Sequence, residues 1–229
     1  MSGYVAEHSS YHHGEMSLCA TIVNMAQDYV GSNNLNFLMP QGQFGTRQMG
    51  GKEAASPRYI FTHLNPLTRM VFNEHDDALL NYLEDEGMKI EPLYYAPILP
   101  AILVNGAEGI GTGWSTSIPC YNPLDLVQNL EARLSDPKST FRRMAPWYKN
   151  FIGSITPQDQ GYQVKGLWSK KDRNTIEITE LPIKKWTRDY KNFLEELMMQ
   201  GETIEDLKEF HKDNTVHFVL KMKEDVDKI

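Results

Sequence analysis

The chain has 229 residues, enough for one large or two modest domains with real cores. Hydrophobic residues make up 41% and charged residues 23%, an ordinary soluble composition; the net charge of −7 lacks the basic balance that usually accompanies nucleic-acid binding. No apolar run approaches the roughly 20 residues that cross a bilayer, and no Lys/Arg-then-apolar leader opens the chain. Cys19 and Cys120 are too few for a disulfide scaffold and lack Cys/His neighbours at metal spacing, so both are read as reduced thiols of a cytosolic or nuclear protein.

The acidity is uneven. Residues 1–70 are nearly balanced, with Arg47, Lys52, Arg58 and Arg69 set against Glu7, Glu15, Asp28 and Glu53, whereas Glu74, Asp76, Asp77, Glu84, Asp85, Glu86 and Glu91 carry much of the excess. In residues 14–30, Leu18, Ile22, Met25, Ala26 and Tyr29 recur at helical spacing, which predicts an amphipathic helix ended by Gly31 and the Ser32-Asn33-Asn34 run. Its other face, Ser17, Thr21, Asn24 and Asp28, suits groove contacts or plain solvent. A loop of glycines and short polar residues covers 40–52, then an apolar stretch follows at 64–72. The acidic run predicts a second helix over 76–86. Pro92, Pro97 and Pro100 mark an extended segment, followed by an apolar run at 98–104 and a Gly-rich turn at 106–113.

Beyond Pro119 the texture changes, and a domain boundary is placed near Ile118. Residues 124–134 form a helix with Asn122 as its cap. Residues 151–155, 162–167 and 175–178 alternate as strands do; a helix over 186–199, an element over 206–211 and a last strand over 216–220 follow.

Four segments carry a resemblance: Tyr11-His12-His13-Gly14-Glu15, Gln43-Phe44-Gly45-Thr46-Arg47, Ser56-Pro57-Arg58-Tyr59-Ile60-Phe61-Thr62, and Asn105-Gly106-Ala107-Glu108-Gly109-Ile110-Gly111-Thr112-Gly113-Trp114. In this order and spacing the chain resembles the DNA-breakage region of the eukaryotic-type topoisomerase II family. Leu181-Pro182 with Trp186-Thr187 is similar to that family's tower. The resemblance covers essentially the whole chain and implies an α+β fold: a winged-helix (helix-turn-helix, CAP-like) domain over 1–117, then an α/β tower over 118–229, incomplete at its carboxyl end.

The resemblance makes Tyr59 the nucleophile. A phenol is protonated at neutral pH and is then a poor nucleophile, so a permanent cation beside it helps; Arg58 is adjacent and also suited to charge building on phosphate oxygens. In an extended segment neighbouring side chains point apart, so Arg58 is expected to reach the phosphate by a bend or from one protomer to the other. Residue physics alone favours an ordinary surface Arg-Tyr pair; the resemblance reverses those odds. His13, at the start of the first helix, is expected to hold the scissile phosphate or to shuttle a proton; packing or capping is its plain alternative. Tyr11, Gly14 and Met16 resemble DNA-contact positions, Met16 facing the cleaved step. Gln43, Arg47 and Lys52 read equally as phosphate contacts or as scattered charges and polar groups of an exposed loop. The 106–113 glycines fit neither a Rossmann nor a Walker pattern, since Pro119 and Pro123 follow too soon and no Gly-Lys-Ser/Thr occurs. By resemblance Ile110 is a wedge between base pairs; otherwise an isolated Ile between glycines is simply buried.

The metal-binding motifs of the family are missing, and so is an ATP module, so no metal ligand is assigned. Mg2+ and ATP are expected to bind outside this chain, which should not relax DNA by itself. The expected partners are double-stranded DNA and a second copy in a homodimer, in the nucleus and with no membrane. The rival reading is a winged-helix DNA-binding or scaffold module without covalent chemistry. In the tower, Lys165, Lys170, Lys171, Arg173, Lys184, Lys185 and Arg188 form either a phosphate track or a solvated face.

Overall fold

The structure, a computed structural model, describes residues 1–201 and 203–228. Its contacts divide the chain into two units. The first comprises Met1–Asp28, Asn33–Phe44 and Ala54–Arg142; the second comprises Tyr29–Ser32, Gly45–Glu53 and Arg143–Ile229. The division therefore does not follow the expected junction at 117–118. Asn34 donates hydrogen bonds to the carbonyls of Val104 (3.0 Å) and Tyr121 (3.2 Å), and Leu126 is buried, which carries the first unit past that point.

The first unit opens with helices α1 (Ser2–His8) and α2 (Glu15–Ala26), the former not foreseen from sequence. Ile22, Val23 and Ala26 of α2 pack with Leu38, Phe44 and Ile60, so the helical periodicity is realised as a core face. The predicted run to Val30 is cut short at Ala26. Gln27 turns extended and its side-chain amide donates to the Phe44 carbonyl, while the Asn33 amide donates to the carbonyls of Asn24 (2.6 Å) and Gln27 (2.9 Å). Side chains thus cap groups that another helical turn would have used.

Strand β1 (Leu38–Gln41) pairs antiparallel with β2 (Phe61–Leu64), and the short helix α3 (Thr68–Val71) follows. The helix expected over 76–86 is replaced by a 3-10 turn (Glu74–Leu79) and a hairpin of β3 (Tyr82–Asp85) and β4 (Met88–Pro92). Glu86 and Gly87 have φ of 49° and 81°. Two consecutive positive φ values make the tight turn whose twist suits a two-residue hairpin, and no helix passes through them. After α4 (Ala101–Asn105), the residues read as a Gly-rich turn form a second hairpin, β5 (Ala107–Gly111) with β6 (Trp114–Ile118). Helix α5 (Pro123–Ser135) is capped as expected: the Asn122 side chain accepts a hydrogen bond from the Leu124 amide.

In the second unit β7 (Ser154–Pro157) pairs with β8 (Tyr162–Lys165). Strands β9 (Leu167–Lys170), β10 (Thr175–Glu180), β11 (Ile204–Glu209) and β12 (Phe218–Met222) form an antiparallel sheet in the order β11-β12-β10-β9, and helix α6 (Thr187–Gln200) joins β10 to β11. Ile178, Leu181, Leu194, Ile204, Phe218, Leu220 and Met222 make its core. The α+β class expected from sequence is the architecture observed.

Candidate active site

Ser56-Pro57-Arg58-Tyr59 closes a single 3-10 turn: Pro57 supplies a preset φ at the first position and the Tyr59 amide donates to the Ser56 carbonyl at 2.9 Å. Ile60 then enters the core with Ala26, Leu38 and Phe44. Because neighbouring residues leaving the turn face opposite ways, the inward Ile60 sends Tyr59 outward, where its side chain is exposed (69%). The turn also answers how Arg58 relates to the phenol. The segment is bent here, and the Arg58 guanidinium lies over the Tyr59 ring at 5.2 Å from its centre. Both side chains are open to a ligand, and Arg58 lines a cavity of about 420 Å³ with Cys19, Ile22 and Val23 of α2.

His13 is exposed immediately before Gly14, the amino-terminal cap residue of α2, and no side chain caps the helix there. The first amides of α2 are therefore directed at whatever occupies that end. Half-buried Tyr11 meets His13 edge-on at 5.5 Å, and His12 lies 4.3 Å from His13, so the three rings form one cluster. Met16 is 88% exposed on α2, beside the exposed polar residues Ser17, Thr21 and Asn24; Asp28, expected on the same face, lies beyond the end of the helix.

Ile110 is not buried. It is 94% exposed on β5, paired with Ser115, while Gly111 pairs with Trp114, also exposed. Alternation places Ile110 and Trp114 on opposite faces of the hairpin. An aliphatic side chain held out on a two-stranded wing has the shape of a wedge.

The Gly-rich loop separates its three candidates. Gln43 and Lys52 are exposed; Arg47 is not. The Arg47 side chain is buried and its Nη2 donates to Glu180 Oε1 at 2.5 Å, both groups belonging to the second unit. A phosphate contact through Arg47 would require breaking that pair, so the expectation of a DNA contact there is not met by its geometry. Glu180 is the residue that sequence reading missed. Its signal was a carboxylate at the same strand parity as buried Ile178, on the inward face of β10. The tower cations are also partly spent: Lys170 pairs with Asp225 and Asp227, Lys171 with Glu177 and Arg173 with Asp225. A continuous positive track is thereby interrupted.

Residues 1–229 match the DNA gyrase/topoisomerase IV A-subunit family. The chain belongs to that family. It is 54% identical over 228 residues to DNA topoisomerase 2 top-2 of Caenorhabditis elegans, an alignment covering 97% of this chain and 15% of the worm protein. It is 58% identical over 198 residues to DNA topoisomerase 2 of Plasmodium falciparum, covering 86% of this chain and 14% of that protein. Among solved structures, the DNA-binding, cleavage and re-ligation domain of Plasmodium falciparum topoisomerase II is similar with a TM-score of 0.93 at 53% identity, over 97% of this chain and 30% of that one. The chain thus spans between 14% and 27% of the length of the curated relatives it matches.

Among the described residues no group of three or more His, Cys, Asp or Glu side chains is placed to hold a metal ion. The residues present do not fit the Mg2+ that the family implies, and no helix among them is long and apolar enough to cross a membrane.

Proposed function

We propose that this chain is the DNA-breakage part of a type II DNA topoisomerase and that Tyr59 is its nucleophile. The observation that carries the reading is the exposed phenol at the end of a 3-10 turn with a permanent cation over its ring. The Tyr59 oxygen attacks a backbone phosphorus. A phenolic O–P bond to the 5′-phosphate forms, the bond from phosphorus to the 3′-oxygen breaks, and the departing oxygen takes up a proton. His13 accepts the phenolic proton or holds the phosphate, and Arg58 balances charge on the phosphate oxygens. Because the linkage conserves the phosphodiester bond energy, resealing is the same exchange run backwards.

DNA lies along Tyr11, Gly14 and Met16 at the start of α2, with Gln43 and Lys52 on phosphates and Ile110 unstacking a base step at a cost of a few kcal/mol. Breaking both strands of a duplex needs two copies of Tyr59, hence a homodimer of the parent protein. Mg2+ and ATP serve the parent at sites outside residues 1–229, and residues 1–229 alone do not relax DNA. The parent acts in the nucleus, although one relative, from Dictyostelium discoideum, is named as mitochondrial.

The deciding experiment uses Tyr59→Phe in the intact parent. That variant binds and bends DNA but forms no covalent adduct, and mass spectrometry of the wild-type adduct finds the nucleotide on the peptide containing Tyr59. An adduct that survives the substitution overturns the assignment and leaves a non-covalent winged-helix module.

A further inference from the structure

The cavity of about 420 Å³ beside Arg58 lies wholly within the first unit. Ile22 and Val23 follow Cys19 at helical spacing, so α2 turns one side toward it. Ile22, Val23 and Ile60 pack against the core of this unit and give the cavity an apolar wall. Cys19 is the smallest of these side chains and stays only partly buried.

One group on this wall is of another kind. Arg69 and Arg173 each hold a carboxylate, but no carboxylate among the described residues pairs with Arg58, which is exposed and lies over the Tyr59 ring. A guanidinium presents a planar set of N–H donors that matches a carboxylate, and it is weakly hydrated, so an anion joins it readily next to apolar surface. A concave, mostly apolar space with one charged group to fix orientation is the ordinary make-up of a small-molecule site, and the volume falls within the usual range of about 300–1,000 Å³. A wholly apolar occupant would leave the guanidinium without a partner, and a bare inorganic anion would leave the apolar wall in water.

We propose that this cavity binds a flat aromatic carboxylate, with the anionic head on Arg58 and the rings against Ile22, Val23 and Ile60. The occupant engages the same guanidinium that balances charge on the scissile phosphate, so binding slows formation of the covalent adduct. That consequence rests on the proposed function; the site itself does not.

The test uses the intact parent and a fluorinated naphthoate, whose binding is read from broadening of its fluorine resonance. The expected Kd is on the order of 1 mM, usual for a ligand of this size. Arg58→Gln, which removes the charge, and the neutral naphthamide on the wild-type parent each weaken binding by about tenfold or more. Cys19→Phe fills the cavity and abolishes binding; Cys19→Leu, a smaller filling in case the ring disturbs α2, weakens it. In single-turnover assays about 5 mM naphthoate lowers the rate constant of adduct formation about sixfold, as mass action at that Kd requires, and the same concentration of acetate does not. The Cys19→Phe parent keeps its basal rate constant within about twofold and no longer responds to naphthoate. No broadening up to about 20 mM overturns the proposal, and this is the result if another part of the parent chain fills the cavity. Binding that Arg58→Gln and both Cys19 variants leave unchanged overturns it by placing the probe elsewhere, and equal binding of the amide overturns the anionic head. Binding that depends on Arg58 and Cys19 but leaves the rate constant unchanged upholds the site and removes Arg58 from the chemistry, so the two readings fail separately.

Discussion

Arg58 lays its guanidinium 5.2 Å from the centre of the Tyr59 ring although the two are neighbours in sequence, an arrangement that a 3-10 turn permits and an extended strand does not. The same turn leaves both groups exposed, so the cation is available to a phosphate as well as to the phenol. Arg58→Ala should lower the rate of adduct formation in the parent by about 10²- to 10³-fold, the usual cost of one transition-state donor. Arg58→Lys should recover part of it, because charge returns but the planar fork does not. Quenched-flow adduct assays at saturating DNA read this directly, and a rate within about threefold of wild type for Arg58→Ala would remove Arg58 from the chemistry.

Ile110 offers a substitution that separates folding from function. At 94% exposure its side chain contributes little to the fold, so Ile110→Ala should change unfolding free energy by less than about 0.5 kcal/mol. On the proposed reading of Ile110 as a wedge, the same change should relax the DNA bend measured by end-to-end energy transfer. Unaltered bending would return Ile110 to the status of an ordinary surface residue.

Gly50 has a φ of 65°, and a Cβ there would run into the Trp186 ring. Gly50→Ala should therefore cost about 1 kcal/mol for the backbone and roughly a further 1–3 kcal/mol for displacing the indole. Gly87, at φ 81° with nothing within 4 Å of its Cβ position, should lose only the first amount on substitution by Ala. Urea unfolding of the two variants side by side checks the difference.

Burial, and after it the Glu53 carboxylate, push the Tyr29 phenol from 10.0 to about 12. An unfolded tyrosine loses its proton near 10, so above that pH the unfolded chain sheds a proton that the folded chain retains. The contribution of Tyr29 is complete below pH 10 and is lost as the pH rises through the window from 10 to about 12. The decline is at most about 1.4 kcal/mol per pH unit, and Tyr29→Phe should make denaturant midpoints less steep in that range.

Much of the site could be read before any coordinate. The four motifs gave the family, and helix α5 announced itself through Asn122 and apolar spacing. What escaped depended on partners distant in sequence or on backbone states that composition does not encode. The acidic run at 74–86 has the content of a helix face, but Glu86 and Gly87 both take positive φ and turn it into a hairpin. The glycines of β5 hid a strand, because a residue without a side chain shows no alternation, and pairing with β6 was needed to reveal it. Gln27 ended α2 early by bonding to Phe44, a choice made by tertiary contact. Arg47 looked like any loop cation until Glu180 was placed beside it.

That last pairing bears on how the protein can be dissected. A piece cut to residues 1–117, the span that a reading by motifs would select, retains Arg47 and discards the carboxylate that neutralises it. It also discards Trp186, the ring that roofs Gly50. The orphaned loop would have to unfasten and carry its guanidinium into water, so such a truncation would not keep the loop conformation described above.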